Sequence, residues 1–323
     1  MKKNQKELLD LVIIGASAAG SASAIYAARR NLNFTVVSKD IGGEVALSGD
    51  VSNWPGIIET TGIELAQNFH KHIQSYNVKI EEGYSVTDIK QEEKHHIVVA
   101  KNFLNEEKSY KTKAVIIASG IHPRNLNLPG ETELRGRGVT YCTVCDGPLF
   151  KNKITTTIGA GNAAIESALM MAGIAKKVYL VTKFPNTKET LGGFPKAETI
   201  LVNKVKKLAN VEIIYNATTK EIIGKENLQS FKYIDNTTKE EKEINTDGLM
   251  VHVGMIPNSN FVTCSTKNLV GEIEVDIKCQ TTCPGVFAAG DVTNIPYKQI
   301  VIAAGQGVTA VLSAIEYINK WEE

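Results

Sequence analysis

Short apolar runs, separated by glycine-rich turns and helical stretches, recur along the chain. The run from Leu9 to Ile14 is continuously apolar, which is typical of a parallel strand buried on both faces. It leads into the turn Gly15-Ala16-Ser17-Ala18-Ala19-Gly20, after which we predict a small-residue helix over residues 21–30 and a strand over residues 34–37. Strand, glycine turn, helix and strand in this order predict the first half of a dinucleotide-binding fold.

The same pattern returns in the middle of the chain. Residues 153–158 are mostly β-branched and are predicted as a strand. The turn Gly159-Ala160-Gly161-Asn162-Ala163-Ala164 fits G-x-G-x-x-A, and a helix over 164–172 and a strand over 177–181 follow it. The predicted fold class is therefore α/β with two Rossmann-like dinucleotide-binding domains. They would bind two dinucleotides, or they descend from an old duplication in which one site was lost.

The segment between the two turns predicts further elements of the first domain. Apolar spacing is helical over residues 63–76, residues 79–103 alternate like antiparallel strands, and residues 114–118 form a buried strand. Residues 41–44 and 53–56 are predicted as loops.

The later part of the chain predicts where the domains meet. Strands are predicted over residues 248–256 and 285–291, and a helix is predicted over residues 297–314. We place one domain crossing near Gly120 and the return crossing near residues 252–254. The expected domains are 1–120, 121–252 and 253–323, of which the first and last segments form one unit.

Composition and charge exclude several function classes. Apolar residues make up 43% of the 323 residues, enough for two cores, and the net charge of +1 gives no reason to expect nucleic acid or an anionic membrane as a partner. We expect no membrane-spanning segment, because no apolar run approaches about 20 residues. Residues 1–10 are polar and do not resemble a signal peptide. Five cysteines then fit a reducing compartment, and a cytoplasmic location is predicted.

The stretch Thr140-Tyr141-Cys142-Thr143-Val144-Cys145-Asp146-Gly147-Pro148 carries the strongest candidate chemistry. A Cys-x-x-Cys pair can close a small disulfide, and one of its thiols commonly has a lowered pKa. That thiolate attacks a partner's disulfide, and the second cysteine resolves the mixed disulfide. Asp146 is placed to move a proton on or off the departing thiol. Half of a zinc site and a purely structural pair are the alternatives, and the nucleotide turns on either side favour the redox interpretation.

The other three cysteines lie far along the chain from this motif. Cys264, Cys279 and Cys283 are expected to be buried small hydrophobic residues. Replacing any one of them is predicted to leave activity within a few-fold.

Each position of the first glycine turn has an expected role. Gly15 permits the tight turn, and Gly20 lets the helix and strand approach closely. Ser17 stands where a middle glycine normally lets the backbone meet a pyrophosphate. An acid that holds the ribose is expected about 20 residues further on, and Asp40 is the acid nearby.

The residue that selects a nicotinamide cofactor is expected at the end of the strand over residues 177–181. Residues 181–185 contain neither an acid for a ribose 2′-hydroxyl nor an arginine cluster for a 2′-phosphate. Lys183 and Lys188 are the cations close by. Use of NAD(P)H is therefore left open.

Near the C-terminus an apolar strand ends in Gly290-Asp291. Such an aspartate can meet the polyol chain of a cofactor, or it can serve as a helix N-cap. The helix that follows is rich in Ala and Gly, which would let a bound ring approach closely, and the positive end of its dipole would favour electron density there.

These pieces, in this order, resemble the low-molecular-weight thioredoxin reductases, and even more closely the flavoprotein part of the alkyl hydroperoxide reductase that recycles peroxiredoxin. The similarity extends over essentially the whole chain, and its most specific stretches are residues 138–150, 285–291 and 296–300. The resemblance implies an FAD domain in two chain segments, a nicotinamide-type domain with the cysteines inserted between them, and a homodimer. The hydroperoxide-reductase flavoprotein carries an N-terminal thioredoxin-like module, which we expect this chain to lack because it begins close to the first glycine turn. A separate thioredoxin or thioredoxin-like protein is therefore expected to take the electrons.

The resemblance also implies a set of cofactor residues. Asp291 would hold the ribityl chain of FAD, and Gln299 would lie near the flavin ring. The residues expected along FAD are Gly15, Ser17, Ala18, Gly20, Asp40, Gly42, Gly43, Glu44, Asn53, Gly120, Gly290, Asp291, Lys298, Gln299 and Ile300. Those expected at the second nucleotide site are Gly159, Gly161, Asn162, Ala163 and Lys183.

The sequence departs from the family pattern in two places. Ser17 stands for a glycine and Glu44 stands where a glutamine is usual, which affects the expected FAD contacts. Thr182-Lys183-Phe184 replaces both the family's basic NADPH motif and its acidic NADH alternative. Some family members without the basic motif take electrons from ferredoxin or another donor. The donor is thus left open among NADPH, NADH, ferredoxin and others.

The resemblance implies a mechanism in which reduced flavin opens the Cys142–Cys145 disulfide. Cys145 would face the flavin, Cys142 would attack the partner, and Asp146 would donate the proton. A rotation of the inserted domain is expected, with hinges near Gly120 and Gly254. Two other functions remain open: a small-molecule dithiol oxidase that passes electrons to oxygen, and a nucleotide-binding sensor without turnover.

Overall fold

A computed structural model describes residues 8–322 of the chain. Most of the polar segment 1–10, on which the signal-peptide expectation depends, lies outside the described residues. The helices are α1 (Ala18–Arg29), α2 (Gly43–Ala46), α3 (Gly62–Gln74), α4 (Thr143–Asp146), α5 (Asn162–Ala172), α6 (Thr199–Val205) and α7 (Ile300–Ile318), with a 3₁₀ turn at Gly147–Phe150. The strands are β1 (Leu8–Ala16), β2 (Phe34–Ile41), β3 (Asp50–Val51), β4 (Thr60–Thr61), β5 (Ile80–Glu82), β6 (Ser85–Gln91), β7 (His96–Lys101), β8 (Glu107–Ile117), β9 (Ile121–Pro123), β10 (Val139–Thr140), β11 (Ile154–Ile158), β12 (Lys177–Val181), β13 (Val211–Ile214), β14 (Ala217–Gly224), β15 (Leu228–Asp235), β16 (Glu241–Asn245), β17 (Gly248–Val251), β18 (Met255–Pro257) and β19 (Val286–Ala288).

The first of two compact units contains the described residues up to Ser48, Trp54–His122, and those from Ile256 onward. Its sheet has the order β5-β2-β1-β8-β7-β6, and β19 also pairs with β8. β1 lies between β2 and β8 and is parallel to both. Leu11, Val12 and Ile13 are fully buried there. The continuous apolar run therefore marks a strand covered on both faces, as predicted.

The antiparallel strands predicted over residues 79–103 are present only in part. β6 and β7 form an antiparallel hairpin, and β7 continues antiparallel onto β8. The prediction is wrong for β5, which pairs parallel with β2. The middle residue of β5, Glu81, is buried and its carboxylate pairs with Lys79 and Lys108. The alternation of charged and apolar residues around β5 therefore reflects these ion pairs and not an antiparallel hairpin.

Helix α7 forms part of the core of the first unit. It begins at Ile300, not at residue 297 as predicted. With 19 residues it is long and apolar enough to cross a membrane by length and composition alone, so the expectation that no apolar run approaches this size is wrong. Its small-residue face packs on α1: Ser23 Oγ donates to Gly307 O at 2.9 Å, and a Cβ at Gly307 would lie 2.1 Å from Ala19 O.

The second unit contains Gly49–Asn53 and Pro123–Met255. Its parallel sheet has the order β10-β17-β11-β12-β13, and β14, β15 and β16 form a separate antiparallel sheet. The single strand predicted over residues 248–256 is interrupted, because β17 ends at Val251 and Gly254 adopts a φ of +123°. Together the two units confirm the predicted α/β class.

The starts of three helices also differ from the predictions. Residues 41–44, predicted as a loop, include the start of the short helix α2, which follows Gly42 at a φ of +93°. Helices α1 and α5 begin at Ala18 and Asn162, two or three residues before the predicted starts. The last residues of each glycine turn are already helical. Their side chains are small, so they show no periodic apolar pattern from which the helix start could be predicted.

Candidate redox and nucleotide-binding sites

Cys142 and Cys145 are joined by a disulfide at the start of α4. Cys142 is the N-cap residue in extended geometry, and the Cys145 N–H donates both to its backbone oxygen at 3.1 Å and to its Sγ at 3.3 Å. Both cysteines are half-buried. The Cys-x-x-Cys spacing thus folds as one helical turn that brings the two sulphur atoms together at a partly open surface.

Asp146 is the last residue of α4, and its N–H donates to Cys142 O at 3.0 Å. One carboxylate oxygen accepts a very short hydrogen bond from Thr140 Oγ1, and the other is buried without a partner among residues 8–322. Burial raises the pKa of the Asp146 carboxyl, the Thr140 hydroxyl opposes this, and the nearby Asp50 adds to the rise. A buried carboxyl with a raised pKa and an unpaired oxygen suits proton transfer.

A buried chain of polar side chains supports α4 within the second unit. Nε2 of His252 lies 2.8 Å from Thr143 Oγ1, which lies 2.6 Å from Ser167 Oγ in α5. Ser167 Oγ lies 3.3 Å from Thr157 Oγ1 in β11. Burial lowers the pKa of His252 to about 4, so the ring is neutral at pH 7. Sequence reasoning missed this chain, because hydroxyls on separate elements share no motif.

Two apolar side chains, one between the cysteines and one shortly after them, are exposed. Val144 is 60% exposed and Leu149 is 45% exposed. Tyr141, which precedes Cys142, donates its hydroxyl proton to Glu131 Oε1 at 2.7 Å. Exposed apolar side chains around a reactive group are typical of a surface that a protein partner contacts.

The first glycine turn has the backbone geometry of a dinucleotide site. Gly15 adopts a φ of +109°, and a Cβ there would lie 2.3 Å from Ala118 O. A Cβ at Gly20 would lie 1.9 Å from Gly15 O. Both positions therefore require glycine. Among the described residues no side chain caps the start of α1, so its first N–H groups can receive an anionic group such as a pyrophosphate.

Ser17 connects this turn to the segment that follows β2. Its Oγ donates to Gly42 O at 2.6 Å, and Asp40 Oδ1 accepts from the Gly43 N–H at 3.1 Å. The structure thus brings Ser17, Asp40, Gly42 and Gly43 together at the carboxyl ends of β1 and β2. Ligands bind at this edge of parallel sheets.

Asp291 follows β19 in the same unit. Burial raises the pKa of its carboxyl to about 6, Lys298 opposes this rise, and Glu44 adds to it. Gly290, with a φ of +78°, donates its N–H to Gln306 Oε1 at 2.8 Å. A buried carboxylate whose ionised form is disfavoured gains most from new hydrogen-bond donors, such as the hydroxyls of a polyol chain.

The other residues expected along FAD occupy several positions. Lys298 pairs with Glu272 at 2.8 Å and donates to Thr293 O at 2.6 Å, so its ammonium is engaged inside the first unit. Gln299 is the N-cap of α7 and Ile300 is its first residue. Ala18 begins α1, Glu44 lies in α2, Gly120 has a φ of +67°, and Asn53 belongs by its contacts to the second unit.

The second glycine turn is fixed by its own unit. A Cβ at Gly159 would lie 2.4 Å from His252 O. Gly161 forms a β-bridge with Lys196. Asn162 Nδ2 donates a hydrogen bond to Glu198 Oε1 at 3.0 Å, and the Glu198 backbone N–H donates to Asn162 Oδ1 at 2.7 Å. Asn162 therefore holds the segment before α6 against the turn.

The cations near this turn come from two places in the sequence. Lys183 is exposed and lies over the ring of Phe184, 5.4 Å from its centroid. Lys196 is exposed beside Gly161 through the β-bridge, and Ala163 is exposed at the start of α5. Sequence reasoning missed Lys196, because its approach to Gly161 depends on the path of the chain between β12 and α6.

The fold and site define a class: enzymes that bind dinucleotides on two Rossmann-like units and carry a redox disulfide on one of them. The model of the family described as pyridine nucleotide-disulphide oxidoreductase matches residues 9–307. The chain belongs to this family. It is 39% identical over 324 residues to an alkyl hydroperoxide reductase component of Pseudomonas putida, covering 99% of this chain and 60% of that relative. The chain thus spans about 60% of the length of the curated relatives it matches.

Solved structures agree with this assignment. Thioredoxin reductase from Streptococcus pyogenes MGAS5005 has a TM-score of 0.88 and 30% identity, covering 98% of this chain and 99% of that one. A ferredoxin-flavin thioredoxin reductase from Clostridium acetobutylicum has a TM-score of 0.51 and 29% identity, covering 97% and 98%. The predicted resemblance is confirmed: the protein is a thioredoxin reductase-like flavoprotein disulfide reductase, and FAD is the cofactor of this group.

Proposed function

We propose that this chain reduces the disulfide of a small thioredoxin-like protein through Cys142 and Cys145. The observation that carries the proposal is the half-buried Cys142–Cys145 disulfide, with the exposed apolar side chains of Val144 and Leu149 close in sequence. A partner disulfide must reach one of these sulphur atoms to form a mixed disulfide. The names of the relatives, thioredoxin reductase and alkyl hydroperoxide reductase, support a partner of this kind.

In the reduced protein, Cys142 is the attacking thiol. In the disulfide form its Sγ accepts the Cys145 N–H at 3.3 Å, at the start of α4. The thiolate forms a bond to one partner sulphur as the partner's own disulfide bond breaks. Cys145 then displaces the partner and restores the Cys142–Cys145 disulfide. Asp146 supplies a proton to the departing partner thiolate, consistent with the raised pKa of its buried carboxyl.

The first unit is suited to hold FAD. The backbone at Gly15 and Gly20 and the start of α1 would bind the pyrophosphate, and Asp291 would receive the polyol hydroxyls. When bound, FAD supplies the electron pair that reopens the Cys142–Cys145 disulfide.

Free NADH and NADPH are proposed to be poor electron donors for this protein. The pyrophosphate turn at Gly159 is present, but residues 182–188, directly after β12, contain no acid, and Lys183 is an exposed cation beside Phe184. Lys196 adds a second single charge rather than a bidentate fork. The name of one similar structure, ferredoxin-flavin thioredoxin reductase, supports reduced ferredoxin as an alternative donor.

Two anaerobic measurements test the proposal. In the first, the FAD-loaded protein is titrated with NADPH, NADH and reduced ferredoxin while flavin bleaching is followed; we expect efficient bleaching with ferredoxin only. In the second, fully reduced protein is mixed with an oxidised thioredoxin-like protein, and the partner's new thiols are counted. A separate aerobic assay tests the alternative: a protein that opens no partner disulfide but consumes oxygen with a small dithiol would be an oxidase.

The homodimer and the cytoplasmic location stay predictions. Light scattering of the purified FAD-loaded protein distinguishes a dimer from a monomer.

A further inference from the structure

Two cysteines that the proposed reaction does not use lie together in the first unit. Thr266 donates its N–H to Thr282 Oγ1 at 3.0 Å, which holds the chain just after Cys264 against the chain just before Cys283. The Cys283 N–H donates to Thr281 Oγ1 at 3.1 Å, which fixes the position of this cysteine. Cys264 packs against the apolar cluster that contains Cys283, and the Cys283 thiol faces two acceptors, the Cys264 sulphur and Gln91 Oε1, the latter 3.6 Å from its Sγ.

The two thiols differ in exposure. Cys283 is 2% exposed and packs in the apolar cluster that includes Val262 and Val286, whereas Cys264 is half-buried at the edge of the same cluster. Cys264 is therefore the member of the pair that a small solute can reach. Within residues 8–322 no group of three or more His, Cys, Asp or Glu side chains could hold a metal ion, so the pair lacks the additional ligands that a zinc site needs.

The thiols also differ in acidity. The hydrogen bond from Cys283 lowers the pKa of Cys264 to about 7, with Lys267 contributing and burial opposing the shift. The same hydrogen bond and burial raise the pKa of Cys283. Cys279 provides a contrast four positions away: burial raises its pKa to about 11, and its Sγ lies 3.6 Å from Gln306 O. Cys264 is therefore a thiolate near neutral pH, in contact with a thiol that can resolve its oxidation product.

We propose that Cys264 and Cys283 form a second dithiol, separate from Cys142–Cys145, which a hydroperoxide converts reversibly into a disulfide. The Cys264 thiolate attacks the peroxide, so that an S–O bond forms, the O–O bond breaks, and the alcohol leaves with a proton. The Cys283 thiol then attacks the sulfenic sulphur, so that the S–S bond forms, the S–O bond breaks, and water leaves. In total, two thiols and one hydroperoxide become one disulfide, one alcohol and one water.

Peptide mapping tests this proposal on the FAD-loaded protein. The protein is reduced with dithiothreitol, freed of reductant, exposed to hydrogen peroxide, blocked with N-ethylmaleimide, and digested without reduction. We expect a cross-linked pair of peptides that joins Cys264 to Cys283, and dithiothreitol should restore both thiols. At pH 7 the free Cys264 thiol should disappear at least about tenfold faster than that of Cys279, because only Cys264 is substantially ionised.

Two variants sharpen the result. Cys279→Ser is the matched control, since it removes the neighbouring thiol and should leave the cross-link unchanged. Cys283→Ser removes the resolving thiol, so Cys264 should accumulate as a sulfenic acid that dimedone captures. The wild-type map already decides the question if this variant does not fold. Alkylated Cys264 and Cys283 at a peroxide dose that oxidises Cys142 and Cys145, or a cross-link from Cys264 to any other cysteine, would overturn the proposal.

Discussion

Oγ1 of Thr143 lies 2.8 Å from Nε2 of His252, and this contact connects the redox helix α4 to the end of β17. Thr143 stands between the two cysteines in sequence and is buried, and His252 is half-buried. The helical turn that carries the disulfide is therefore held in place by a polar contact inside the second unit. Positioning of this kind is what catalytic groups require from the surrounding structure.

Removing the Thr143 hydroxyl should destabilise the second unit. Thr143→Val leaves His252 and Ser167 without their shared partner, and a buried unsatisfied polar group costs about 1–3 kcal/mol. Thr143→Ser keeps the hydroxyl and serves as the matched control. Chemical denaturation of both variants measures the difference. Equal free energies of unfolding for the two variants would show that the hydroxyl contributes nothing.

His252 should contribute stability that is lost in mildly acidic solution. Its pKa is lowered from 6.5 to about 4 in the folded state, so the unfolded chain binds more protons between these pH values. The His252 contribution to the free energy of unfolding therefore decreases as the pH falls from about 6.5 towards 4, with a slope that approaches about 1.4 kcal/mol per pH unit. Burial lowers the pKa of His96 as well and adds a slope of the same sign, whereas the raised pKa of Asp291 adds a slope of the opposite sign. The pH dependence of the free energy of unfolding is therefore compared between wild type and His252→Asn. The variant should lack the part of the slope that His252 contributes. Parallel stability curves for the two proteins would contradict this.

Without FAD, Asp291 should lower the stability of the folded protein. With FAD present, the same side chain should strengthen FAD binding. Its pKa is raised to about 6, so the folded state favours the protonated carboxyl, and stability is lost as the pH rises through 6. At pH 8, Asp291→Asn should therefore unfold at a higher temperature than wild type when both are apo-proteins. The same variant should bind FAD more weakly, by about tenfold or more, if one charged hydrogen bond is lost. Thermal unfolding with and without added FAD measures both effects, and unchanged FAD affinity would remove Asp291 from the flavin site.

Gly20 and Gly305 offer a paired test of the first nucleotide turn. A Cβ at Gly20 would lie 1.9 Å from Gly15 O, whereas a Cβ at Gly305, also within a helix, would meet nothing within 4 Å. Gly20→Ala should lower the free energy of unfolding by about 1–3 kcal/mol or more and reduce FAD content. Gly305→Ala should be neutral or stabilise by up to about 1 kcal/mol. Absorbance at the flavin band and denaturant unfolding report the two effects, and full FAD loading of Gly20→Ala would contradict the assignment of this turn.

Both thiols of the Cys-x-x-Cys pair should be required for turnover. Cys142→Ser and Cys145→Ser should each abolish reduction of a thioredoxin-like partner, because attack and resolution need both sulphur atoms. Cys279→Ser should leave turnover within a few-fold. The measurement is partner thiol release by the FAD-loaded proteins. Substantial turnover of either motif variant would place the reaction elsewhere.

Any preference for NADPH over NADH should be modest and should depend on Lys183. The loss of a ribose-selecting hydrogen bond of about 1.5–3 kcal/mol should weaken either nicotinamide by roughly tenfold to a hundredfold. Lys183→Ala should remove a modest preference for NADPH over NADH. Steady-state kinetics with both nucleotides decide the matter. A micromolar KM with fast turnover would show that another residue reads the ribose, and Lys196 beside Gly161 is then the first to replace.

The sequence by itself determined the class of this protein. The apolar run of β1, the glycines of both turns and the Cys-x-x-Cys pair each act through neighbours in the chain, because backbone conformation and strand burial leave short-range patterns. For this reason the parallel sheets, the flavoprotein family and the disulfide were predictable. Only the tertiary structure decided the contacts between distant segments: His252 against Thr143, Lys196 beside Gly161, Cys264 against Cys283, and the packing of the apolar helix α7 on α1. Each of these pairs joins residues from different elements. Their approach is set by how the elements pack, which no local pattern of residues records.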